Sequence, residues 1–67
     1  MTRLEQLRRQ RRLTPADLAE RTGVSERTIY RLENGSAAFQ STLWKLADFF
    51  GLSDETELLR DVEEHAA

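Results

Sequence analysis

The chain has 67 residues, 39 % of them hydrophobic: enough for one small core and one domain over residues 1–67, but too little for a sizeable substrate pocket. It holds no cysteine, which excludes disulfides and thiolate metal sites and fits a reducing cytoplasm. The net charge of −2 argues by itself against a polyanionic partner. The charge is divided, however: residues 1–31 carry eight arginines and a net of +4, and residues 32–67 a net of −6. One basic end can meet phosphate while the acidic end keeps the molecule soluble, although two solvated faces of opposite sign would give the same count.

No apolar run approaches the roughly 20 residues that span a bilayer, and the N-terminus lacks the apolar stretch of a signal peptide. The expectation is therefore a cytoplasmic protein without membrane contact. Three glycines, one proline and no period-two alternation predict an all-α fold.

Thr2, with Glu5 three residues on, predicts a capping box. It opens a first helix to about Arg11, with Leu4 and Leu7 inward. Arg8, Arg9, Arg11 and Arg12 crowd its end, where the helix dipole favours cations. A solvated helix end accounts for most of that run, with at least one arginine expected to hold a structural partner. Leu13 precedes the Thr14 cap and can staple to Leu18. Pro15 suits the first helical position, and Asp17 can reach back to the cap. Gly23 permits positive φ and a tight bend. Ser25 caps a third helix with Glu26 in its first turn, and Asn34-Gly35, both tolerant of the left-handed conformation, end it.

Leu18, Ala19, Val24, Ile29 and Leu32 face inward across this bend. Glu26, Arg27, Tyr30, Arg31 and Asn34 are left outward on the third helix. A polar, donor-rich face on a short helix presented by a bend is the helix-turn-helix arrangement that places its second helix in the major groove.

Residues 36–41 form a connecting loop, with Phe39 expected to anchor it to the core. A fourth helix is predicted from a cap near Ser41 to Phe50, buried along Leu43, Leu46, Ala47 and Phe50. Gly51 stops it. Ser53 or Asp54 then caps a fifth helix with Leu58, Leu59 and Val62 inward. Residues 63–67 are predicted to fray, and His65 among them receives no metal or catalytic role. Trp44 and Phe49 fall outside the buried stripe. They either cover the core edge or form an exposed patch for a second copy or another protein; Phe49 is expected to be partly exposed.

Leu13-Thr14, Leu18-Ala19-Glu20, Gly23-Val24-Ser25, Thr28-Ile29, Arg31 and Leu32-Glu33-Asn34-Gly35 resemble the lambda-repressor/Cro-like family, the xenobiotic-response-element type of helix-turn-helix protein. Thr42-Leu43, Leu46-Ala47 and Gly51-Leu52 continue the resemblance, which covers roughly residues 3–60. It implies a compact five-helix domain with helices 2 and 3 as the helix-turn-helix. It also implies a transcriptional regulator, often a dimer on a palindromic operator, and some members are antitoxins.

By the same resemblance Arg8 and Glu33 form a structural ion pair. Glu26, Arg27, Tyr30 and Arg31 take the base-reading positions, and Ser25, Thr28 and Asn34 the phosphate-binding ones; Thr14, Arg9 and Arg12 are further phosphate-binding candidates on this chain's own account. Arginine can donate twice to guanine and glutamate can accept from cytosine N4, so a G·C-containing half-site is expected. Two departures lower the expected affinity and salt dependence. Pro15 stands where the family usually has glutamine, and residues 36–38 lack its basic loop side chains.

The partners expected are double-stranded DNA and a second copy of the chain, with no cofactor, metal or small-molecule substrate. The function expected is a repressor-like regulator or an engineered DNA-binding module. The alternative is an antitoxin-like protein working through Trp44, Phe49 and the acidic C-terminal helix. An enzyme is disfavoured by the single tail histidine and the absence of a glycine-rich phosphate loop.

Overall fold

The start of each early helix is fixed by a hydroxyl side chain. In the computed structural model, which describes residues 1–62, α1 spans Arg3–Gln10, α2 Pro15–Thr22, α3 Glu26–Glu33 and α4 Gln40–Phe50, and a 3-10 helix follows at Glu55–Leu59. Thr2 caps α1 by accepting from the Glu5 amide at 3.2 Å. Glu5 does not close the predicted box; its carboxylate turns to Arg9 one helical turn on, at 2.6 Å. Thr14 and Asp17 do close theirs, with both bonds at 3.1 Å. Ser25 caps α3 through the Thr28 amide, also at 3.1 Å.

The turn between α2 and α3 is set by Gly23 at φ 77°, whose N–H returns to the Ala19 carbonyl. That region is costly for any residue with a Cβ. Val24 follows into the core. At the end of α3 only Gly35 is left-handed (φ 90°); Asn34 stays at φ −87°. The link from α1 to α2 holds a left-handed residue that composition did not announce, Arg12 at φ 57°.

The core consists of Leu4, Leu18, Val24, Ile29, Leu32, Leu43, Leu46, Ala47, Phe50 and Leu58. It lies where α2 packs on α3 and α4, and where the 3-10 helix packs on α1 and α4. Leu7, Leu13 and Ala19 cover its edge, half-buried.

Two expectations are corrected on the C-terminal side. Helix α4 starts before Ser41: its cap position is Phe39, whose carbonyl accepts from Thr42 and Leu43. Phe39 is no anchor, since its side chain is 84 % exposed. With the Phe39 backbone held at the helix start, the ring points away from the core, and Ala38 packs there instead.

The predicted fifth helix is a single 3-10 stretch. Asp54 caps it, accepting from both the amide and the hydroxyl of Thr56. After Leu59 the backbone extends, and residues 60–62 pair antiparallel with residues 1–3 through a Thr2–Asp61 bridge. The Arg3 amide donates to Arg60 and the Val62 amide to Met1, each at 2.8 Å. Leu58 reaches the core within the short turn. Pairing with the N-terminus then satisfies the backbone that a longer helix would have satisfied. Val62 is half-buried in this extended stretch. The expected fraying of residues 63–67, with His65, lies outside the described residues.

Two exposed caps should contribute stability that is lost in acid. Hydrogen bonds from the Thr14 backbone and side chain hold the Asp17 carboxyl below its ordinary range. The hydroxyl and amide of Thr56 do the same for Asp54. A depressed carboxylate contributes stability above its unfolded pKa, and that contribution is lost as pH falls through the folded value. Thermal unfolding midpoints should therefore fall between about pH 5 and pH 3. The double variant Asp17→Asn/Asp54→Asn should fall less over that window; an equal fall would contradict the assignment.

Candidate nucleic-acid interface

Helix α3 and its cap Asn34 have a buried and an exposed side, with Thr28 and Glu33 half-buried between them. Ile29 and Leu32 are fully buried. Glu26, Arg27, Tyr30, Arg31 and Asn34 are exposed. At 100° per residue Arg27, Arg31 and Asn34 lie along one outward stripe, with Tyr30 beside it. Glu26 stands in the first turn, and Tyr30, 52 % exposed, lies within electrostatic reach of Arg8. None of the four predicted base-reading side chains is packed inside the fold or covered by residues 1–62.

The helix is held by Arg8. Its Nε donates to Glu33 Oε2 at 2.6 Å and its Nη2 to Glu33 Oε1 at 3.0 Å. Its Nη1 donates to the Leu13 carbonyl at 2.7 Å, and its own carbonyl accepts from the Leu13 amide at 3.2 Å. The planar guanidinium thus fastens three segments at once: α1, the link into α2, and the end of α3. The two side chains are only 12 % and 8 % exposed. The hydrogen bond to Glu33 is the main reason the guanidinium holds its proton more tightly than an ordinary arginine.

The predicted phosphate contacts are arranged less uniformly. Thr14 and Ser25 are exposed at the starts of α2 and α3, and Asn34 is exposed at the end of α3. Thr28 is half-buried, and its Oγ1 accepts from the Ser25 hydroxyl at 2.7 Å. Arg9 is paired with Glu5. Arg12 is exposed immediately before the Thr14 cap.

The two aromatics reserved for a protein interface differ. Trp44 is 52 % exposed, on α4 near the bond from Gln40 to Glu55. Phe49 is half-buried. Its ring meets Phe50 edge-on at 5.0 Å, and the Arg11 guanidinium sits over both rings at 5.2 and 4.9 Å. Arg11 also donates to the Phe49 carbonyl. It is thus a clamp between the end of α1 and the end of α4, a role that a run of four arginines gave no means of assigning.

A second unforeseen feature lies beside α3. Thr28, Arg31, Leu32, Ala37, Ala38, Phe39 and Thr42 line a hollow of about 490 Å³. Among the described residues no group of three or more His, Cys, Asp or Glu could hold a metal ion, and no helix is long and apolar enough to cross a membrane.

A family model described as a helix-turn-helix domain matches residues 2–59. The chain belongs to that helix-turn-helix domain family. No curated protein and no solved structure matches it. The family gives DNA as the partner of this helix-turn-helix domain and is not usually enzymatic.

Proposed function

We propose that α2 and α3 are the helix-turn-helix pair of a lambda-repressor/Cro-like domain, that the helix over residues 25–34 enters the major groove of double-stranded DNA, and that the chain acts as a repressor-like transcriptional regulator. The outward face of α3 supports this: Glu26, Arg27, Tyr30 and Arg31 are exposed together on a helix whose end is tied down by Arg8 and Glu33. Arg27 and Arg31 are assigned to guanine O6 and N7, Glu26 to cytosine N4, and Tyr30 to phosphate or a thymine methyl. Ser25, Thr14, Asn34, Thr28, Arg9 and Arg12 are assigned to the phosphates. A second copy of the chain would place two such helices on a palindromic site.

The competing reading, an antitoxin-like protein-binding member of the fold, is favoured by one observation, the half-exposed Trp44. Phe49 supports it less, because Arg11 covers its ring, and the acidic segment that follows α4 is a short 3-10 turn rather than a helix. Titration of a labelled mixed-sequence duplex at two salt concentrations separates the two. Binding that weakens steeply with salt is expected, with about 0.9 unit of logarithmic slope per phosphate neutralised. Absence of binding at low salt would favour the protein-contact reading.

A further inference from the structure

A helix start ordinarily favours anions, because its unpaired N–H groups and the helix dipole leave about half a positive charge there. The start of α2 is built the other way. Pro15 brings no N–H to it. The Asp17 amide donates to Thr14 Oγ1 at 3.1 Å, and the Leu18 amide to the Thr14 carbonyl at 3.0 Å. Of the first four positions, that leaves the amide of Ala16. The Asp17 carboxylate lies against the same end, accepting from the Thr14 amide at 3.1 Å. A whole negative charge set on about half a positive one leaves this end negative. The Thr14 bonds hold the Asp17 carboxyl below its ordinary range, so it is ionised at neutral pH, and the attraction of Arg21, one turn on, is the smaller influence. Thr14 and Asp17 are both exposed.

In a helix-turn-helix pair the first helix crosses the DNA backbone while the second reads bases, and Thr14 is assigned to phosphate above. We propose that Asp17 limits the affinity of this interface: its carboxylate meets the phosphates at the start of α2 and weakens the grip on every duplex, whatever its sequence. This rests on the DNA-binding reading. Repulsion from the backbone carries no sequence information, so discrimination is left to the outward face of α3.

The test is equilibrium binding of the full chain to a mixed-sequence duplex and to its selected site across a salt series. Asp17→Asn removes the charge and keeps a side-chain oxygen for the Thr14 amide. It should tighten both complexes by the same factor, roughly threefold at low salt, the value for one unit charge about 6 Å from a phosphate in water. The gain should shrink as salt rises. Asp17→Gln, which keeps a neutral capping-box side chain, should give the same gain. Asp48→Asn removes an equal charge from the exposed side of α4 and should gain much less. The thermal midpoint of Asp17→Asn at neutral pH should fall slightly, because the cap loses its charge. Tighter binding by a less stable fold excludes an effect through folding.

The inference is overturned if the parent binds DNA and both Asp17 variants bind no more tightly. It is also overturned if the gain is confined to one sequence, or if Asp48→Asn gains as much, marking an effect of net charge alone. If neither the parent nor Asp17→Asn binds any duplex at low salt, the DNA reading falls together with this inference.

Discussion

Replacing Arg8 by alanine should destabilise the domain by roughly 3–5 kcal/mol, the range for removing one partner of a buried ion pair. Three donors are lost together, two to Glu33 and one to the Leu13 carbonyl. The Glu33 side chain, 8 % exposed, would keep a carboxylate largely out of water with no cation against it. A domain of this size has a total stability of about 5 kcal/mol or less, so much of the variant should be unfolded at physiological temperature. The pair Arg8→Met/Glu33→Leu should be far milder, because it removes the charge along with its partner. Urea unfolding followed by circular dichroism measures both. A loss below about 1 kcal/mol for Arg8→Ala, the ordinary worth of an exposed pair, would show that Arg8 does not hold α3 in place.

Arg27→Ala and Arg31→Ala should each weaken binding to the preferred DNA site by roughly 1–3 kcal/mol and weaken binding to random DNA by less. Both side chains project from α3 into solvent, so neither substitution should disturb the core and thermal midpoints should be preserved. The asymmetry between sites is the informative part. A guanidinium bonded to guanine O6 and N7 loses sequence discrimination when removed, whereas one resting on phosphate weakens all complexes alike and flattens the salt slope. Equal losses on both DNAs would assign these arginines to the backbone.

The start and the outward face of α3 were legible because they are built from local rules. The Thr14–Asp17 box, the Gly23 bend and the Ser25 cap each depend on residues within four positions of one another. They fix where α3 begins, and the helical repeat then fixes which side chains face out. The Arg8–Glu33 pair, 25 residues apart, came from family resemblance rather than from spacing.

What escaped was long-range or directional. The antiparallel pairing of residues 1–3 with residues 60–62 joins segments 60 residues apart. A capping Asp54 announces that a helix starts, without saying that it stops after one 3-10 stretch. Hydrophobicity alone points Phe39 to the core because it reports a transfer energy and carries no direction; the backbone at the start of α4 sets the direction. Arg11 was one of four similar arginines, and only the rings of Phe49 and Phe50 distinguish it.

Selection of bound sequences from a randomised duplex library puts the main claim to the most direct test. The parent chain should enrich a half-site containing G·C pairs, repeated with two-fold symmetry if two copies bind, and Arg27→Ala/Arg31→Ala should abolish the enrichment while leaving the fold intact. Enrichment that survives the double substitution, or no enrichment by the parent at low salt, would contradict major-groove reading by α3.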